Sequence, residues 1–189
     1  MLSKYIPTET ERYICDIYHH LHIKEPCDID IVAIGAYFNI DICYYSGRPK
    51  AVWHDNCGII LLSNSCSFGE NRLIFFHELA HILRHVGHQD ELPKMFRDLQ
   101  EQQASTFQRY AALPYYLLTP YLHDSQSRME CINALAGNFH VTHKMAAERL
   151  EQIKRRIESY EYQEKITLFE RRYQHERKEK NKSCCISSI

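Results

Sequence analysis

The sequence predicts an α+β domain, a small antiparallel β-sheet packed on helices. Two observations predict it. Apolar residues recur at helical spacing on either side of residues 40–62, and at alternating spacing only within that stretch. No internal repeat and no Pro/Gly/Ser linker divides the 189 residues, and 44% apolar content suits one compact domain with a small appended subdomain.

The elements follow in order. Thr8 or Thr10 can cap a first helix, whose apolar positions Tyr13, Ile14, Ile17, Tyr18 and Leu21 share a face; Pro26 ends it. Asp28 or Asp30 opens a short helix, Ile31 to Phe38, closed by Asn39. The period then changes. Ile40 to Tyr45, Ala51 to His54 and Cys57 to Leu62 read as strands, separated by turns at Ser46-Gly47-Arg48-Pro49 and Asp55-Asn56. Spacing this short predicts an antiparallel meander. Glu70 begins a helix that runs to about His85 and ends at Gly87. Met95 to Leu113 forms the next, between Pro93 and Pro114. Shorter helices follow around Tyr115 to Leu122 and Ser127 to Ala136, Gly137-Asn138 interrupts, and Thr142 caps a long charged helix. The expected division is 1–122 as the main domain, 123–180 as a helical C-terminal subdomain and 181–189 as a disordered tail.

Composition narrows the function classes. A net charge of −1 shows neither the basic excess of a nucleic-acid binder nor an acidic solvating tail. The longest apolar runs, such as Gly58 to Leu62, are too short to span a bilayer. The N-terminus lacks an apolar signal region, so a cytoplasmic protein with reduced thiols is expected. Of the eight cysteines, Cys15, Cys43, Cys57 and Cys131 are expected as small buried hydrophobes, while Cys184 and Cys185 lie in the polar tail.

The stretch Phe75-Phe76-His77-Glu78-Leu79-Ala80-His81-Ile82-Leu83-Arg84-His85 carries the chemistry. On a helix, His77 and His81 point the same way, one turn apart, and both imidazoles can reach one zinc ion. Glu78 can then act as general base, as in the His-Glu-x-x-His pattern of zinc peptidases. A catalytic zinc takes a third protein ligand. His85 lies about 12 Å along the axis from His77, too far to share one ion. The pattern with a downstream Gly and third His fails too, because Arg84 and Gly87 stand at those places. A carboxylate from another element remains. Glu101 sits in the middle of the next helix and could instead pair with Arg97; Glu91 lies in the loop before Pro93.

With these residues in view the sequence resembles the ImmA/IrrE metallopeptidases, most closely members from Gram-positive mobile elements. The resemblance rests on a strand and loop (Gly58 to Asn64), on His77-Glu78-Leu79-Ala80-His81, and on Glu101-Gln102-Gln103-Ala104-Ser105-Thr106-Phe107 followed by Leu113-Pro114. It implies a zincin-like active-site helix, zinc held by His77, His81 and Glu101, and Glu78 as general base. The chain departs from many members at Gln103, where they carry Glu; a neutral amide is the weaker donor. The resemblance also implies an anti-repressor protease, whose protein partner is the helix-turn-helix repressor of a prophage or mobile element. The strand Cys57 to Leu62 is expected to hold the substrate backbone by edge addition.

Two other classes compete. Leu135 to Leu150 resembles a helix-turn-helix, with His143 and Lys144 at the start of its second helix, which would suit a DNA-binding regulator. Glu148 and Glu151 offset Arg149 and Lys154, so no basic patch supports direct DNA binding. A catalytically inactive chain that binds the repressor without cutting it is the other.

Overall fold

The computed structural model describes residues 2–54, 57–84, 93–122 and 127–186. His85, Gly87, Glu91 and the Asp55-Asn56 turn fall outside them. Pro7–Leu150 forms one compact unit, and Met1–Ile6 with Glu151–Ile189 a second.

Helix α1 (Glu9–His20) starts at Thr8, whose hydroxyl accepts from the Glu11 backbone while the Glu11 carboxylate accepts from the Thr8 backbone. This reciprocal cap satisfies two amides that the first turn leaves without partners. Asp30, not Asp28, caps α2 (Ile31–Tyr37) through the Val32 amide at 2.9 Å. Asn39 then turns the chain with a φ of 55°, a left-handed conformation that Asn tolerates. A Cβ on Gly35 would meet the Ile40 carbonyl at 2.7 Å, so this glycine permits α2 to lie against the next strand.

The strands are β1 (Ile40–Tyr45), β2 (Lys50–His54) and β3 (Cys57–Ser63). They do not form the expected meander. The order is β1-β3-β2, with β3 parallel to β1 from Ile40↔Gly58 to Tyr45↔Ser63 and antiparallel to β2 from Lys50↔Leu61 to His54↔Cys57. The reason lies in β3, whose near-continuous apolar run suits a strand with neighbours on both sides. The connection Ser46 to Pro49 therefore spans two strand spacings, about 10 Å. Strand alternation also corrects the cysteines. Cys15 and Cys131 are buried, but Cys43 and Cys57 lie on the open face of the sheet and are exposed.

Ser67 and Glu70 cap α3 (Phe68–Arg84) reciprocally. Asn71 ties its first turn to the end of β3: its amide accepts from the Ser63 N–H at 3.1 Å and donates to the Ser63 carbonyl at 2.9 Å. Phe75, Phe76, Leu79 and Ala80 turn into a core shared with Ile14, Tyr18, Ile34, Ile60, Leu62 and Phe107. Helix α4 (Lys94–Ala112) packs on α3, and α5 (Tyr115–Leu118) follows.

The larger unit continues past residue 122. Ser127 caps α6 (Arg128–Asn138), which runs through Gly137 before α7 (His143–Ile186) begins with the Thr142 hydroxyl accepting from the Met145 amide. Arg149, on the second turn of α7, is wholly buried. It donates to Glu11 Oε1 at 2.6 Å and to the Leu113 carbonyl at 3.1 Å, and its guanidinium lies 4.7 Å from the Tyr110 ring centre. Helix α7 contains no Pro or Gly, and it continues to Ile186 through most of the stretch expected to be a disordered tail. In the smaller unit, Lys4 pairs with Glu161 and Glu164, and Arg156 donates to the Tyr5 hydroxyl at 3.0 Å. Among the described residues no helix is long and apolar enough to cross a membrane.

Candidate metal centre

Two helices build the site. Glu101 meets His77 and His81, whereas Gln108, two turns later on α4, donates to the Leu73 carbonyl at 2.9 Å, one turn earlier on α3. The helices therefore run antiparallel. Ala104 lies between Glu101 and Gln108 on the same stripe and is fully buried, which lets the backbones approach closely.

Three ligand atoms converge. His77 Nε2 lies 3.1 Å from His81 Nε2 and 3.1 Å from Glu101 Oε2, and His81 Nε2 lies 3.5 Å from Glu101 Oε1. Ligands about 2.0–2.1 Å from one tetrahedral zinc ion stand about 3.3 Å apart. The donor set, two imidazoles and a carboxylate, also matches that of a catalytic zinc site with an open position. Among the described residues this is the one cluster of three or more His, Cys, Asp or Glu able to hold a metal ion. The residues present fit zinc. His81 is buried, His77 half-buried, and the Glu101 side chain is 51% exposed, so the site opens on the Glu101 side. Gln103 faces elsewhere, beside Thr10, Arg84 and Thr106.

Glu78 is half-buried next to this cluster. Burial raises its pKa above the ordinary carboxylate value, and the charge of Glu101 adds to the rise; His77 and a hydrogen bond from the Ala51 backbone oppose it. That backbone contact is informative. An Ala51 N–H turned to Glu78 is not spent on β3, and the alternation of an antiparallel ladder turns the Trp53 N–H and C=O outward with it. β2 is thus the free edge beside α3. β3, expected in that role, is paired on both sides.

The structure brings His77, His81, Glu101 and Glu78 together. His85 and Glu91 fall outside the described residues. The contributions of Ala51 and Gln108 have no signal in the sequence, because the first acts through its backbone and the second through a contact 35 residues away. In the helix-turn-helix-like segment His143 and Lys144 are exposed at the start of α7, whereas Arg149 is buried against Glu11, and Glu148 holds Arg109 at 2.9 Å.

Residues 36–151 match the peptidase family model described as the IrrE N-terminal-like domain. The chain is 30% identical over 156 residues to the phage-like element PBSX protein XkdA of Bacillus subtilis, an alignment covering 82% of this chain and 78% of that one. It is 24% identical over 168 residues to the uncharacterized protein YqaB of the same organism, covering 87% and 95%. A solved Mycobacterium tuberculosis transcriptional regulator shares the fold over 77% of this chain, with a TM-score of 0.55 and 14% identity. This chain spans 47% of that protein's length.

Proposed function

The chain belongs to the IrrE N-terminal-like peptidase family, and on that premise we propose that it is a zinc-dependent endopeptidase that cleaves the helix-turn-helix repressor of a prophage or mobile element. The observation that carries the reading is the convergence of His77, His81 and Glu101 within hydrogen-bond range of one another, with Glu78 beside them. The similarity to a phage-like element protein supports the mobile-element setting.

Zinc at this site would supply Lewis acidity, acidifying a water molecule and polarising the scissile carbonyl. The protein supplies the rest. His77, His81 and Glu101 hold the ion from two helices fixed to each other by Gln108. Glu78 takes the proton as water attacks the carbonyl carbon. When the C–N bond breaks, it returns that proton to the leaving amine. Partial burial raises the proton affinity of Glu78, which suits a group that must both accept and release a proton. The outward N–H and C=O groups of β2 offer the substrate backbone a strand to pair with.

The test is a purified helix-turn-helix repressor from the same genetic element, incubated with the zinc-loaded protein. Wild type is expected to produce one discrete pair of fragments, and Glu78→Gln none although it still binds zinc. Cleavage undiminished in Glu78→Gln, or repressor bound but never cut by wild type, would replace the peptidase with a regulator that acts by binding.

A further inference from the structure

The sheet has a second free edge. β1 pairs only with β3. Across that ladder the Asn39 and Tyr45 carbonyls accept from the Gly58 and Asn64 amides. Alternation therefore turns the odd-numbered residues of β1 towards β3 and the N–H and C=O groups of Ile40, Ile42 and Tyr44 outward. α2 covers the Ile40 end, where the Ile40 carbonyl stands against Gly35. The outward groups of Ile42 and Tyr44 take no hydrogen-bond partner among the described residues. A groove of about 520 Å³ runs along them, lined in part by Val32, Ala36, Ile42, Tyr44 and Ile59. Val32 and Tyr44 are 60% and 52% exposed.

Natural sheets protect such an edge with charged side chains, Pro or a bulge. β1, Ile40-Asp41-Ile42-Cys43-Tyr44-Tyr45, carries one charge and no Pro. Its open groups fit a second copy of the same strand. An antiparallel two-fold pairing centred on Cys43 sets Ile42 opposite the second copy's Tyr44 and Tyr44 opposite its Ile42, and each pair exchanges both backbone bonds. Centring the axis on Ile42 would call on the Ile40 carbonyl, which Gly35 blocks. Centring it on Tyr44 would set Ile42 opposite Ser46, past the end of the strand. In the Cys43 register Asp41 faces Tyr45 and lies about 14 Å along the strand from its own counterpart, beyond the screening length of about 10 Å at 0.1 M salt. Ile42 touches Gly35, so the even-numbered side chains lie on the α2 side. There the incoming Ile42 and Tyr44 pack on Val32 and Ala36 as well as on each other, an aromatic against β-branched residues. Strand and groove together give a contact on the order of 1,000 Å² over both copies, the lower bound for a specific interface.

We propose that β1 is a homodimer interface: two copies join β1 to β1 about a two-fold axis at Cys43, making one six-stranded sheet in the order β2-β3-β1-β1-β3-β2. The pairing leaves β2, the proposed substrate edge, free at both ends, so the inference does not rest on the peptidase reading. Cys43 is exposed on the open face. Facing residues of a non-hydrogen-bonded antiparallel pair have Cα atoms about 4.5 Å apart, within the range that a disulfide spans. The two Cys43 thiols therefore report this register and no other.

The experiment is sedimentation velocity of the full chain across a concentration series, with diamide oxidation of the same samples. Wild type is expected to pass from monomer to dimer between about 1 and 100 μM, the range that so small an interface supports. Diamide accepts one hydrogen atom from each of two thiols as the S–S bond forms and is itself reduced to the hydrazine. Peptide mass spectrometry should then find Cys43 joined to Cys43, and Cys57, also exposed but away from the axis, joined to neither copy. Tyr44→Pro removes an outward N–H, which an edge strand tolerates. Val32→Lys sets a charge in the groove without touching the strand. Each should weaken the dimer at least about tenfold and lower the Cys43 yield, with circular dichroism unchanged. A wild type that stays monomeric at about 100 μM overturns the interface. A dimer that diamide does not link through Cys43, or that survives both variants, is joined elsewhere and overturns it too. So does a Cys43 bond whose yield neither variant lowers, because random collision then makes it.

Discussion

At the scale of single residues, burial decides what each ionisable group can do. Cys15 is buried on α1, and burial, with the nearby charges of Glu11 and Asp16, pushes its thiol up to about 12 from an ordinary 9.0. The native state therefore holds this proton where the unfolded chain has already released it. The sign is that of a raised pKa: the contribution is fully present below pH 9.0 and is lost as pH rises towards about 12. Cys15 should resist iodoacetamide at pH 8 in the native protein, while the exposed Cys43 and Cys57 react; peptide mass spectrometry reads each site separately. Modification of Cys15 as fast as Cys57 would contradict the buried placement.

At the scale of elements, helix ends and helix pairs carry the information that was legible in the sequence. The i, i+4 histidines announced one wall of the site, because that depends on local spacing; the carboxylate opposite them, Glu101, followed from the family resemblance, since spacing alone left it open between a metal ligand and a partner for Arg97. The sheet order was not legible. Alternation identifies strands but does not say which strand sits at the centre, and the short Ser46 to Pro49 connection gave no hint that β3 would insert between its neighbours. With the order went the identity of the free edge, and so the backbone contact at Glu78. The Glu11–Arg149 pair was hidden for a related reason: its partners are 138 residues apart. Arg149→Met should cost about 3–5 kcal/mol in urea denaturation, because it leaves Glu11 charged and buried without its guanidinium. Adding Glu11→Gln should recover part of that loss. A double mutant whose cost is the simple sum of its singles would show that the pair does not act as a unit.

At the scale of the whole molecule, the larger unit needs α6 and the start of α7. Leu135, Phe139, Ala146 and Arg149 are fully buried within it. A chain cut back to residues 7–150 should fold and keep its zinc affinity, since the metal residues and their supports all lie inside that unit. A chain ending at residue 122 should lose cooperative unfolding, because Glu11 and the carbonyl of Leu113 lose the cation they hold. Thermal melts of the two fragments decide this, and a cooperative melt for the shorter one would place the domain boundary back at residue 122.

The zinc site is the premise from which the peptidase chemistry and the substrate edge follow. The most direct test is calorimetric titration of zinc into metal-free wild type, Glu101→Ala and Gln103→Ala. One ion per chain is expected in wild type, with affinity weakened in Glu101→Ala by more than the roughly 10- to 100-fold that loss of an outer-shell partner costs, and unchanged in Gln103→Ala. Affinity indifferent to Glu101, or lost with Gln103, would contradict the site on which the account stands.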